Sequence, residues 1–98
     1  MIDGDTVVLD VDLGFNVSVR ASFRIAGIDA PEMTKEERPA GELARTALVE
    51  ILARATDGWI SVESLGRDKY GRWVANLAVG ADDVARLMVE SGHAVAVG

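Results

Sequence analysis

Apolar and polar residues alternate one by one from Thr6 to Leu13. Val7, Leu9, Val11 and Leu13 share one face, and Thr6, Val8, Asp10 and Asp12 the other. Period two with β-branched residues predicts a strand. Gly14 and Asn16 mark a turn. Beyond it Val17, Val19, Ala21, Phe23 and Ile25 fall on one face, with Ser18, Arg20, Ser22 and Arg24 opposite. The two segments read as a hairpin that carries Arg24 near the end of its second strand, on the polar face. Gly27 to Pro39 reads as a loop, with a solvated charge run from Lys35 to Arg38. From Gly41 the period lengthens: Leu43, Ala44, Ala47, Leu48, Ile51, Leu52 and Ala55 form the apolar stripe of a helix that Asp57-Gly58 ends. Trp59 to Leu65 and Arg72 to Val79 predict two more strands, separated by a polar loop from Gly66 to Gly71. Asp82 or Asp83 can cap a short helix whose inner face is Val84, Leu87 and Met88, with Gly92 as its stop. His93 to Val97 reads as a last short strand. Several short strands interrupted by one helix suggest a small barrel of the OB type.

The 98 residues make one domain, 1–98, large enough for one modest core. No apolar run approaches the ~20 residues of a membrane-spanning helix. Asp3 and Asp5 sit where the apolar core of a signal peptide would begin, which favours a cytoplasmic setting. The absence of cysteine excludes disulfides, zinc–thiolate sites and thiol nucleophiles. The net charge of −6 counts against tight non-specific binding to nucleic acid, where phosphate neutralisation supplies much of the affinity. It counts less against an enzyme, which needs only local positive charge.

The remaining chemistry suits a hard cation and a phosphate. Asp5 and Asp29 each lie at a strand end followed by a tight segment, and two such oxygen donors can share a Ca²⁺ ion with carbonyls and water. Pro31 biases Ala30 to an extended backbone, so the loop can aim Asp29 and Glu32 together. Taken alone, Asp3-Gly4-Asp5 is first of all a turn signal. Arg24 and Arg72 offer guanidinium groups that bind phosphate oxygens in pairs and stabilise charge built up there during hydrolysis. Glu32 can position or deprotonate water. Lys69 can meet a neighbouring phosphate, and Tyr70 can stack on a base. Trp59 and Trp73 read as core residues, and His93, the single histidine, as structural.

Three motifs then coincide. Ile2-Asp3-Gly4-Asp5-Thr6-Val7, the run from Phe23 to Glu32, and Asp68-Lys69-Tyr70-Gly71-Arg72 resemble the staphylococcal nuclease (thermonuclease) family in order and spacing. Gly41 with Ala44, and the stretch from Leu87 to Ala94, are similar too. The resemblance covers nearly the whole chain. It implies an α+β OB-fold: a five-stranded Greek-key barrel with a helix after the third strand and a second helix near the C-terminus. It implies Ca²⁺-dependent hydrolysis of DNA and RNA at the bond to the 5′ oxygen, leaving 3′-phosphates. Carried over by motif, Asp5 and Asp29 would be carboxylate ligands of calcium, with the backbone carbonyl of Ala30. Arg24 and Arg72 would hold the scissile phosphate, and Glu32 would act on the water. Lys69 and Tyr70 would contact a neighbouring phosphate of the substrate. Fewer residues precede the Asp-Gly-Asp motif than in the family, which predicts an open barrel seam. A monomer is expected, with strand exchange between two copies as the alternative. A non-catalytic OB-fold module binding nucleic acid or protein is the competing reading, and the intact set of charged motif positions argues against it.

Overall fold

The structure is a computed structural model that describes residues 3–31, 38–55 and 57–97. Strand β1 (Thr6–Gly14) and strand β2 (Val17–Ile25) form the predicted antiparallel hairpin, pairing Thr6 with Arg24 and Val11 with Val19. Phe15 and Asn16 both have positive φ (55° and 63°), as a two-residue hairpin loop matching the right-handed strand twist requires. The inward face is not uniformly buried. Val7 is 3% exposed at the base of the hairpin, whereas Leu13 is 58% exposed near its tip, so the ribbon projects beyond the core.

Strand β3 (Ile28–Asp29) lies within the stretch read as a loop from Gly27 to Pro39. It pairs antiparallel with β7 (Val95–Ala96), Asp29 opposite Val95. Two residues carry no readable period, so only the tertiary pairing defines them. Helix α1 (Arg38–Leu52) begins three residues earlier than the apolar stripe suggests. Pro39 therefore sits in the first turn, where its missing N–H has no intrahelical acceptor to lose. The helix buries Gly41, Ala44, Leu48 and Ile51 but leaves Leu43 exposed, and it stops before Ala55.

Strand β4 (Ser61–Arg67) runs two residues beyond the predicted end, carrying Gly66 in a bulge at the register shift between Ser64 and Gly66. Trp59 precedes the strand and is 64% exposed, so it is not the core residue expected. Trp73 opens β5 (Trp73–Val79), half-buried, with the Arg67 guanidinium 4.6 Å from its ring centre. After β6 (Asp82–Asp83), helix α2 (Val84–Glu90) starts as expected: Asp83 caps it by accepting the Ala85 N–H at 3.2 Å. Val84 and Met88 are fully buried.

The main sheet has five strands. Its path is β1-β2-β5-β4, with β6 paired to β5, and the β2–β5 contact is parallel. This mixed sheet with a helix after the third strand and another near the C-terminus is the expected α+β, OB-like organisation. Among the described residues no ladder joins β1 to β4, so the sheet is open at that seam. The core between sheet and helices is built from Val7, Phe23, Ile25, Leu48, Leu77 and Met88, among others. Helix α1 and the end of β3 pack on the Asp3–Asp5 turn. Gly4 shows how closely: a Cβ there would meet the Ala44 Cβ at 2.7 Å and the Ala30 Cβ at 3.1 Å. Among the described residues, no helix is long and apolar enough to cross a membrane.

Candidate functional site

Four pieces of chain meet at one end of the sheet. The Asp5-Thr6 pair enters β1. Arg24 sits on β2 opposite Thr6. Asp29 and Ala30 leave β3, and Asp68 to Arg72 forms the turn between β4 and β5. The parallel register places Arg24 beside Val74, two residues past Arg72, which is why motifs far apart in sequence converge.

Asp5 is the hub. It is buried, and its carboxylate is fully engaged. Oδ2 accepts the backbone N–H of Ala30 at 2.9 Å, and Oδ1 accepts the Thr6 hydroxyl at 3.2 Å. The Asp5 carbonyl accepts the Ile25 N–H at 2.8 Å. These bonds clamp the end of β3 to the start of β1. Arg24 Nη1 lies 3.5 Å from Asp5 Oδ2 and donates to the Ile25 carbonyl at 3.0 Å. Its Nη2 donates to Asp29 Oδ1 at 2.9 Å. Arg24 is thus held between two carboxylates, one buried and one exposed.

Arg72 is held from the other side. Asp68 Oδ1 accepts the backbone N–H groups of Tyr70 and Arg72, each at 2.9 Å, which closes the turn. Asp68 Oδ2 takes Arg72 Nε at 2.8 Å. Partial burial of Asp68 opposes its ionised form, but those two N–H groups and the Arg72 guanidinium outweigh this and hold its carboxyl below the usual value. Arg72 Nη1 reaches the Thr6 hydroxyl oxygen at 3.4 Å. A continuous chain of contacts therefore runs from Arg72 through Thr6, Asp5 and Arg24 to Asp29.

Lys69 and Tyr70 lie at the turn. Tyr70 is 73% exposed, with the Lys69 ammonium 5.3 Å and the Arg72 guanidinium 5.6 Å from its ring centre. The ring is presented to solvent beside both cations. A hollow of about 340 Å³ opens between Arg24, Gly27, Lys69, Tyr70, Arg72 and Val97.

Of the residues singled out in the sequence, the structure brings together Asp5, Arg24, Asp29, Ala30 and Arg72, with Lys69 and Tyr70 on the rim. Glu32 lies outside the described residues. Two residues were missed. Thr6 bridges Asp5 and Arg72, and Asp68 aims Arg72. The signal for Asp68 was present in the Asp-x-x-Gly turn spacing, where an aspartate bonds backbone N–H groups ahead of it. Thr6 looked like an ordinary strand residue until its burial, 1% exposed, was known.

The donors around Asp5 and Asp29 are oxygens only, the set a hard cation such as Ca²⁺ takes. Among the described residues no three acidic or histidine side chains cluster. Two carboxylates and the Ala30 backbone are what this end of the sheet offers, so solvent or substrate oxygens would have to complete a coordination shell.

Comparison with known proteins bears on the family to which the chain belongs. The family described as "Staphylococcal nuclease homologue" matches residues 22–98. A protein named "Probable endonuclease LCL3" from Schizophyllum commune is 41% identical over 54 residues, covering 55% of this chain and 18% of that protein. A protein of the same name from Candida glabrata is 33% identical over 78 residues, covering 76% of this chain and 30% of its own length. The chain therefore spans less than a third of either relative. With the family match running from the end of β2 through both helices and the Arg72 turn, the chain belongs to the staphylococcal nuclease homologue family.

Proposed function

We propose that this domain is a nuclease that hydrolyses phosphodiester bonds of DNA and RNA at the Arg24–Arg72 cluster. The observation that carries the proposal is the contact chain Arg72–Thr6–Asp5–Arg24–Asp29, which fixes one guanidinium group from β2 and one from the β4–β5 turn at one site. The names of the two related proteins, probable endonucleases, support the same reading. A phosphate between the two arginines would exchange the Arg24–Asp29 pair for charge-assisted bonds to its own oxygens. Such bonds strengthen as charge accumulates on those oxygens in the transition state. In this scheme Glu32 accepts the proton of the attacking water, and the bond to the 5′ oxygen breaks, leaving a 3′-phosphate. Asp5, Asp29 and the Ala30 carbonyl would hold Ca²⁺, which when bound supplies further positive charge beside the phosphate. Lys69 and Tyr70 engage the adjoining nucleotide.

The test is cleavage of a labelled single-stranded DNA in millimolar Ca²⁺, beside an EDTA control and Arg72→Ala. Cleavage is expected to need the ion, and Arg72→Ala to lower kcat by about 10²–10³-fold, the cost of removing one such donor. Arg24→Lys accompanies it, because Arg24→Ala would leave the buried Asp5 without its cation and threaten the fold. Cleavage that survives Arg72→Ala would overturn the assignment. A folded protein that binds the DNA without cutting it would establish the binding-module reading instead.

A further inference from the structure

Two hollows adjoin the arginine cluster, and the proposed scheme places the cations in one of them. The hollow beside Tyr70 carries Arg24, Lys69 and Arg72. A second, of about 500 Å³, is lined among the described residues by Asp29 to Pro31 and by Gly92 to Val95. Its volume falls in the roughly 300–1,000 Å³ range of small-ligand sites. Arg24 lines the first hollow and hydrogen-bonds Asp29, which lines the second. A phosphate seated on Arg24 would therefore lie beside both.

The two differ in chemistry. The second has no lysine or arginine among its described lining residues. Asp29 and Ala30, the proposed ion ligands, form one wall; on the other, Ala94 and Val95 supply apolar surface beside His93. That second wall, with no lysine or arginine, suits a flat, uncharged ring. The backbone beneath His93 is fixed. Gly92, at φ 81°, ends α2, its N–H returns to the Val89 carbonyl at 3.0 Å, and the His93 N–H returns to the Met88 carbonyl at 3.1 Å. The opposite wall is tied down by the β3–β7 pairing of Asp29 with Val95.

Resting on the nuclease reading, we propose that the second hollow receives the nucleoside on the far side of the scissile phosphate from Tyr70, with His93 stacking on its base. His93 is then a specificity-determining residue and not only the structural one its sequence position suggested. An isolated stacking contact of this kind changes affinity roughly tenfold.

The experiment is a cycle between base and side chain. Oligonucleotides with a mapped cleavage position carry a single abasic sugar at one flanking position, then at the other. For the wild-type domain, kcat/KM is expected to fall roughly tenfold for an abasic sugar at the position facing His93. In His93→Ala that penalty disappears, because the partner of the base is already gone. In His93→Phe, which keeps a stacking face, the penalty returns. Each penalty is a ratio within one variant, so partial loss of folded protein cancels. If His93→Ala does not fold, His93→Leu takes its place. A penalty that persists at both positions in His93→Ala, or that is missing in His93→Phe, overturns the proposal while leaving the nuclease reading intact. Failure of the wild type to cut the fully based oligonucleotide overturns both.

Discussion

Single residues at this site act mostly by holding one another. Asp68 is the clearest case, because it accepts three N–H groups, two of the turn's backbone and one of Arg72's guanidinium. Asp68→Asn keeps the shape of the side chain but weakens its hold on Arg72 Nε. The guanidinium is then free to wander, and a misplacement of about 1 Å can cost up to about 10²-fold in rate. Activity in Asp68→Asn is expected to fall substantially with secondary structure intact, measured by cleavage beside circular dichroism. The same carboxylate gives a pH signature. Its value in the folded protein lies below that of the unfolded chain. Its stabilisation is therefore fully present above the unfolded value of about 3.9 and is lost as pH falls through the lower folded value. Urea unfolding of wild type and Asp68→Asn should show a constant stability gap from about pH 7 to pH 5 that closes below about pH 4. Asp10, which its hydrogen bond to Arg20 also holds below the usual value, titrates in the same range but is common to both proteins and cancels. A gap unchanged at low pH would show that the Asp68 charge contributes nothing.

Elements matter here through where they end and how closely they approach. The long hairpin, the apolar stripe of α1 and the Asp83 cap were legible because each has a period or a capping residue that local physics reads directly. The two-residue strand β3 was not, although it delivers Asp29, because pairing at that length is a consequence of tertiary contact; its partner β7 lies inside the short strand read at His93 to Val97. Pro39 closes the stretch that reads as a loop, yet it stands in the first turn of α1, which tolerates a proline. The motif residues themselves were legible as a set. The convergence of Arg24 and Arg72 was not, since it rests on a parallel pairing of β2 with β5 across some fifty residues of sequence. The packing of α1 on the N-terminal turn can be tested at Gly4. Gly4→Ala would stiffen the unfolded chain, an effect worth about 0.4–1 kcal/mol in its favour. The new methyl would press on the Ala44 Cβ at 2.7 Å and on the helix backbone, Ala44 C, at 3.1 Å. Overpacking of this kind costs typically 1–3 kcal/mol, so destabilisation should win. A lowered Tm in a thermal melt is expected, with reduced cleavage because the Ala30 segment shifts with it. An unchanged or raised Tm would mean the turn has room to yield.

At the scale of the whole molecule, charge and site pull in opposite directions. The chain carries −6 overall, while Arg24, Lys69 and Arg72 gather around one hollow. Distant carboxylates are screened beyond a Debye length of about 8–10 Å at ordinary ionic strength, so a strand reaching the hollow meets chiefly its local cations. If those three contact phosphates, log K for single-stranded DNA should fall with log[salt] with a slope of about −2. The net negative charge repels the strand most at low salt, and added salt relieves that repulsion, so the observed slope should be shallower than this and not steeper. Fluorescence anisotropy in EDTA, where ion-dependent cleavage is suppressed, measures it from about 50 to 200 mM salt. Arg72→Ala should reduce the slope by about 0.7, one phosphate contact, and should weaken binding most at the low-salt end. A slope of about −5 or steeper would require several more cation–phosphate contacts and would place the strand on a different surface. A slope that Arg72→Ala leaves unchanged would remove that arginine from the phosphate path. Under the proposed nuclease reading the acidic balance is consistent with catalysis: weak hold along the chain and strong local charge at the scissile bond would favour turnover over retention.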